Sequence, residues 1–353
     1  MKKIVYFFPN ESSFIKRDIV ILSEKYKVRH FSLHQGDKLK LPFQLLKQFF
    51  QAVSTIPTAD VVICHFAGYS SLIPNIIGRI FRKPRLLIIA GTDAASFPEV
   101  NYGSFNRNKL MEWFTKKSMK NATHLLPVHE RLAFQEYNYH PYGGKVQGFH
   151  YFYPPSKNKP FSPLYYSYQS DFFTIDKSIE RRKNSFISIG NLSIATTFQR
   201  KGFDLIIALA NKHPELEFTL IGWDGKMQFD FPSNVRLLPF LSQSEIVKEL
   251  NAHEFYFQLS LMEGFPNALA EAMLCGCVPI GSNVSGIPFI IGDTGFVLKH
   301  HDLTELEALI KQILSENNRE MRSSNARKRI VENFNDTIKL NEFVRIIDLY
   351  TNK

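Results

Sequence analysis

Two glutamates, Glu263 and Glu271, bracket the stretch EGFPNALAE, and Pro266 between them suits the first position of a helix, where its missing N–H costs nothing. The N–H groups of Asn267, Ala268 and Leu269 would then lack intrahelical acceptors at the positive end of the helix dipole, a ready anion site. Gly264 leaves room for a phosphate to approach the backbone, and Phe265 completes the turn. Glu263 can reach past the phosphate towards a sugar. Glu271 shares a face with Asn267 at i, i+4 and can accept hydrogen bonds from a ribose diol. Carboxylates are badly placed to hold phosphate themselves, so a cation must come from elsewhere. A second constellation, GNLSIATTFQRKGF, offers one: a strand ends at Gly190, and Arg200-Lys201-Gly202 opens a helix. Lys201 is a compact charge suited to a diphosphate leaving group, with Arg200 as a second candidate. Taken singly, the turn also reads as a capped surface helix with a solvated Glu271, and the basic pair as an ordinary solvated one.

The elements that must hold these residues alternate strand and helix. In the first half, strands are expected at 3–8, 27–33, 60–66, 85–91 and 122–128, with helices at 13–26 and near 105–121. In the second half, strands are expected at 185–192, 217–222, 234–240 and 254–260, with helices at 201–212 and 243–251. The helix of the glutamate turn, the strand VPIG, TGFVLK and two or three closing helices follow. Near-continuous apolar strands between helices imply parallel sheets covered on both faces, and ligands bind beyond the carboxyl ends of such strands. The proline- and tyrosine-rich stretch 151–183 breaks the rhythm and marks the interdomain region. The expected division is a first domain at 1–165, a linker at 166–184, a second domain at 185–332 and a last helix at 333–353.

Composition narrows the class. At 353 residues the chain is long for a single core, and no apolar run approaches the length of a membrane span. Three cysteines, Cys64, Cys275 and Cys277, give neither a disulfide framework nor a zinc spacing, which fits a reduced, cytoplasmic setting. Residues 1–160 hold 23 Lys and Arg against 10 Asp and Glu, a net +13, while residues 161–353 are at −3. Such a basic half suits an anionic partner, and no nucleic-acid-binding motif appears. Peripheral contact with the anionic inner membrane face is the expectation this asymmetry raises, beside a simple solvated surface.

The stretches RKGFDLIIALANKHPELEFTLIG and NAHEFYFQLSLMEGFPNALAEAMLCGCVPIGSNVSGIPFIIGDTGFVL strongly resemble glycosyltransferase family 4, of the GT-B fold. The family's E-x₇-E signature falls on Glu263 and Glu271, and NFNDTIKLNEFVRIIDLY resembles the GT-B tail that crosses back to the first domain. The resemblance implies two Rossmann-like domains facing across a cleft, the first (1–165) binding the acceptor and the second (185–332) the nucleotide-sugar donor, with the helix at 333–353 returning to the first, and sugar transfer with retention of configuration. By that likeness Glu271 takes the ribose, Glu263 the donor sugar, Lys201 or Arg200 the diphosphate, and the backbone around Phe240 the base. The donor is expected to be a UDP- or GDP-sugar and the acceptor a glycan or lipid-linked sugar in polysaccharide or glycoconjugate synthesis. The chain has no D-x-D, in keeping with a fold that needs no metal. It departs from the pattern at Asn191, where arginine is common, at FPNESS in place of a glycine pair, and at Phe289, where glutamate is frequent. The usual HG-x-D is AGTD here, leaving Asp93 as the nearest side chain to orient an acceptor hydroxyl. His65, at a strand end facing the expected cleft, is a further catalytic candidate, although a lone histidine there also reads as structural. His129 is a weaker one. Other uses of the same fold stay open: an epimerase, a phosphorylase, a disaccharide synthase, or a silent sugar-nucleotide-binding protein.

Overall fold

The computed structural model describes residues 1–34, 39–105, 108–226 and 229–352. Its first half is built on β1 (Lys3–Phe8), β2 (Lys27–Ser32), β3 (Val61–His65) and β4 (Arg85–Ile89). After a small antiparallel hairpin of β5 (Ser96–Phe97) and β6 (Tyr102–Gly103) comes β7 (His124–Pro127), and the parallel sheet has the order β2-β1-β3-β4-β7. A second hairpin, β8 (Gln135–Glu136) and β9 (Val146–Gln147), lies beyond it. The sequence VVICH of β3 is buried throughout, as a strand covered on both faces must be.

The helices of this half are α1 (Ser13–Ser23), α2 (Leu41–Thr55), α3 (Tyr69–Ile80), α4 (Lys109–Asn121) and the single turn α5 (Phe149–Phe152). The connection β1 to β2 runs one way across the sheet and the later ones run the other. Right-handed crossovers therefore set α1 on one face and α2, α3 and α4 on the opposite face. Of the helix expected near 105–121, Lys109–Asn121 is helical, Phe105 and Asn108 are not, and residues 106–107 lie outside the described residues.

The second half repeats the plan. Strands β10 (Arg182–Ile189), β11 (Glu217–Ile221), β12 (Val235–Leu238), β13 (His253–Gln258), β14 (Val278–Ser282) and β15 (Phe296–Leu298) form a parallel sheet in the order β12-β11-β10-β13-β14-β15. Helices α6 (Ala195–Arg200), α7 (Phe203–Lys212), α8 (Gln243–Asn251), α9 (Asn267–Leu274) and α10 (Ile287–Ile291) flank it. The helix expected at 201–212 is α7, starting at Phe203, and a further helix, α6, precedes it. Lys201 ends α6 and Gly202, at φ +75°, starts α7. A Cβ on Gly202 would stand 2.2 Å from the Leu259 carbonyl oxygen, so the break requires glycine.

Three helices close the chain: α11 (Leu303–Ser315), α12 (Arg319–Asn333) and α13 (Asp336–Thr351). The last packs against α1 of the first half and is fastened there by charge. Lys2 Nζ meets Asp348 Oδ1 at 2.7 Å, and Arg17 pairs with Asp336. His124 Nδ1 lies 2.9 Å from the Tyr350 hydroxyl. In the interior, Lys339 pairs with Asp18, and both are almost fully buried.

Candidate active site

The two sheets point their carboxyl ends at each other, and backbone meets backbone at the glutamate turn. Pro266 is the extended N-cap of α9, not its first helical residue, so the helix starts one residue later than the proline suggests. Asn267, Ala268 and Leu269 are its first three residues, and no side chain caps them. Their N–H groups therefore keep the anion-binding character of an uncapped N-terminus. Gly264 serves a purpose the sequence does not reveal. A Cβ there would lie 2.0 Å from the Ala90 carbonyl oxygen, so the glycine admits the backbone of the first domain, and it also borders the cavity that Lys201 and Glu263 line. Phe265 is likewise buried in a stack between domains, 5.4 Å from the rings of Tyr165 and Phe334, with Phe289 beside them.

Lys201 Nζ donates to Glu263 Oε1 at 2.5 Å, and Arg200 Nη1 approaches the same oxygen at 3.6 Å. Ser260 Oγ donates to it as well, at 3.2 Å, and is itself held by Gln258 Nε2 at 2.7 Å. Burial pushes the Glu263 carboxyl up, but Lys201 and Arg200 outweigh it, and the group stays below the usual carboxylate range. Arg200 also lies over the ring of Tyr102, 4.7 Å from its centroid, tying the second domain to the first. Ser260 and Tyr102 carry no signal in a single sequence. Only the meeting of distant loops shows them. Gly190 ends β10 where a Cβ would press on the Phe203 ring at 3.0 Å and on Lys201 Cγ at 3.4 Å.

Lys201, Glu263, Thr92, Phe66, Asn267 and Ala268 are among the residues around one open cavity of about 330 Å³. Glu271, one helical turn beyond Asn267, opens on a neighbouring cavity of about 240 Å³, and Phe14 and Asn267 border both. Burial raises the Glu271 carboxyl to about 7, with no cation to offset it. The Tyr168 hydroxyl in that second wall is buried without a hydrogen-bond partner among the described residues. Phe240, after β12, is 62% exposed, and its ring edge comes within 3.5 Å of where a Cβ on Gly222 would stand.

The first-domain candidates have other roles. Asp93 is buried, and its carboxylate accepts from the N–H groups of Ala67 at 2.8 Å, Ala90 at 3.0 Å and Gly91 at 3.1 Å. Burial outweighs these donors and raises its carboxyl to about 6. It clasps two loops that edge a third cavity, of about 220 Å³, which shares Phe66 and Thr92 with the Glu263 cavity. His65 does not face the cleft. It is fully buried, with Nδ1 2.8 Å from the Tyr6 hydroxyl and Nε2 3.2 Å from the Tyr166 hydroxyl, and burial lowers its pKa far below the ordinary value. Both nitrogens are engaged, so it is a core histidine. His129 is also buried, against Phe289 and Phe265, and lowered to about 4 by burial. Among the described residues no group of three His, Cys, Asp or Glu is arranged to hold a metal ion, and no helix is long and apolar enough to cross a membrane.

Residues 173–329 match the family model described as glycosyl transferases group 1. A stretch of 140 residues is 29% identical to one of the subunits of human phosphatidylinositol N-acetylglucosaminyltransferase, covering 36% of this chain and 29% of that protein. The chain thus spans under a third of that relative's length. Among solved structures, sucrose-phosphate synthase from Thermosynechococcus elongatus superposes with a TM-score of 0.73 at 14% identity over all of both chains. Anabaena HepE, solved in complex with UDP, does so with a TM-score of 0.70 at 13% identity over 99% of this chain and 100% of that one. Residues 173–329 thus match the glycosyl transferases group 1 model, within a chain that has the two-domain GT-B fold throughout.

Proposed function

We propose that the chain is a retaining glycosyltransferase that moves a sugar from a UDP- or GDP-sugar to a glycan or lipid-linked acceptor. The observation that carries this reading is a meeting of groups in one cavity. Lys201, Glu263 and the uncapped amides of Asn267 and Ala268 share it, and Glu271 opens on the cavity next door. The UDP bound to the HepE neighbour and the lipid in the name of the human relative favour the same donor and acceptor classes.

In this reading the α9 amides, Lys201 and Arg200 bind the diphosphate, Glu271 accepts from the ribose diol, and Glu263 from the donor sugar. The exposed ring of Phe240, near Gly190 and Gly222, gives the base a surface. The bond between the sugar's anomeric carbon and the phosphate oxygen breaks with its electron pair going to oxygen, where preorganised cations and amides stabilise it. The acceptor hydroxyl forms the new bond on the same face and gives its proton to that oxygen. Asp93 acts as a positioning residue, holding the loops around the third cavity, where the acceptor would enter. No metal takes part, and the protein works on the cytoplasmic side against an anionic membrane.

The test is thermal shift with UDP, GDP, ADP and their sugar conjugates, with and without magnesium, on the wild type and on Glu271→Ala. Stabilisation by one nucleotide, independent of magnesium and lost in the variant, is the expected result and names the base. Stabilisation by none of them would overturn the donor site.

A further inference from the structure

Helix α2 faces the wrong way for a helix of a water-soluble domain. Phe43, Leu46, Phe49, Phe50 and Val53 are 76%, 55%, 41%, 62% and 38% exposed, while Gln48, Ala52 and Thr55 are buried. Positions 43, 46, 50 and 53 follow the three-four spacing of a single stripe. The helix is amphipathic, then, with its apolar stripe turned outward. Its inward face is partly polar: Gln48 Nε2 donates to the Ser70 carbonyl at 2.8 Å, while the Gln48 and Gln44 side-chain oxygens are buried without partners among the described residues. The apolar surface continues onto α3, which packs beside α2 and exposes Ile76 and Ile80, followed by Phe81. Helix α4, which packs against α3 in turn, exposes Leu110 and Trp113. Exposed apolar side chains gathered on three helices packed in a row mark an interaction site.

Charge selects the occupant. Neither α2 nor α3 contains Asp or Glu, whereas Lys47 and Arg79 stand on them and Arg82 and Lys83 follow. Helix α4 adds Lys109, Lys116, Lys117 and Lys120 against Glu112. A second copy of the chain would set like charges against each other. An anionic bilayer accepts both features at once, taking apolar side chains into the acyl boundary and lysines at the phosphates. We infer that the α2–α3–α4 face is a membrane-docking surface for anionic lipid, with Phe43, Leu46 and Phe50 as its inserted side chains. Tyr69 at the start of α3 and Met111 of α4 border the third cavity. Docked this way, the protein would open that cavity close to the membrane surface, a placement that rests on the functional reading for its use.

The experiment is co-sedimentation of the full chain with phosphatidylglycerol-containing and pure phosphatidylcholine vesicles, at low and high salt, without nucleotide. Wild type should bind the anionic vesicles and weaken with salt. Phe43→Ser/Phe50→Ser should lose roughly a hundredfold in partitioning, because two large apolar side chains no longer insert. Lys47→Glu should lose less, and chiefly at low salt. Both variants change exposed positions, so an unchanged melting temperature and nucleotide shift certify their fold. Failure of wild type to bind anionic vesicles would overturn the inference, as would unchanged binding by the phenylalanine variant. So would a shift from dimer to monomer in sedimentation velocity as the variant's only effect. Nucleotide stabilisation that survives such a failure leaves the functional reading standing, and vesicle binding without nucleotide stabilisation does the reverse.

Discussion

Two lysine–carboxylate pairs invite comparison because their chemistry is the same and their surroundings are opposite. Lys339 and Asp18 are 3% and 0% exposed and join α13 to the first domain. Both oxygens of Asp18 are taken, one by Lys339 and the other by the Tyr6 hydroxyl at 3.2 Å. Lys201 and Glu263 are 19% and 15% exposed and stand in a cavity wall. There Lys201, Arg200 and Ser260 all converge on Oε1, and Oε2 accepts no hydrogen bond among the described residues. The first pair is complete and closed. The second is incomplete and open, the pair that a phosphate and a sugar hydroxyl would enter in the proposed function. The comparison teaches that saturation and access, not pairing itself, separate a staple from a site.

The largest expected effect falls on the open pair. Lys201→Ala should lower the transfer rate by about a hundredfold to a thousandfold, the usual cost of losing one group that stabilises developing charge. The melting temperature should barely move, since a partly exposed pair contributes on the order of 1 kcal/mol or less. Steady-state transfer assays beside thermal melts check this. A stability loss as large as the activity loss would make Lys201 a staple after all.

The closed pair should behave in reverse. Lys339→Met leaves a buried, unpaired carboxylate and should cost about 3–5 kcal/mol in denaturant unfolding. Asp18→Leu/Lys339→Met should recover most of that loss, because no isolated charge remains. If the double variant is as unstable as the single one, the pair does more than neutralise itself.

The two pairs were not equally legible in the sequence. The open site lies largely within one local signature: a carboxylate, a glycine, a proline and a second carboxylate at helical spacing, with a basic pair in a nearby loop. Local chemistry of that kind survives without a structure. The closed pair joins residues 321 positions apart and depends on where the last helix lands, which no spacing encodes. Gly264 and Gly202 show the same limit. Each looks like a turn residue, and only the Ala90 and Leu259 carbonyls reveal what the missing Cβ is for. The alternation of strands and helices exposed the two-domain fold because apolar runs bounded by turns are strong periodic signals. For α2, periodicity establishes two faces and cannot say which one the protein covers. His65 misled because a strand end faces the cleft on average, while its own side chain alternates inward.

A smaller effect separates the two glutamates themselves. Glu263 is held low by its cations, whereas Glu271, buried without one, sits at about 7. Its folded pKa is above the unfolded value of about 4.3, so the stability it contributes is full below about 4.3 and is lost as pH rises through about 7. Nucleotide affinity should run the other way, rising with pH through that range as the carboxylate forms to accept the diol. Glu271→Gln should flatten both profiles and weaken nucleotide binding about tenfold. Calorimetric titrations and melts across this pH range check it. An unflattened affinity profile would assign the titration to another group.

The smallest effect tests whether burial alone makes the closed pair strong. Lys2 also fastens α13 to the first domain, donating to Asp348 Oδ1, Thr351 Oγ1 and Asn352 Oδ1, each at 2.7 Å. Its geometry is at least as good as that of the interior lysine, but the two side chains of the ion pair are 32% and 38% exposed. Water and salt can replace what the lysine gives up, and holding a long side chain in place costs entropy. Lys2→Met should therefore cost under about 1 kcal/mol, fading further at high salt, while the cost of Lys339→Met stays large. Denaturant unfolding of both variants at low and high salt makes the measurement. Equal costs would mean that what matters is the anchoring of α13 at any point along its length, and burial would lose its place as the property that separates the chain's staples from its site.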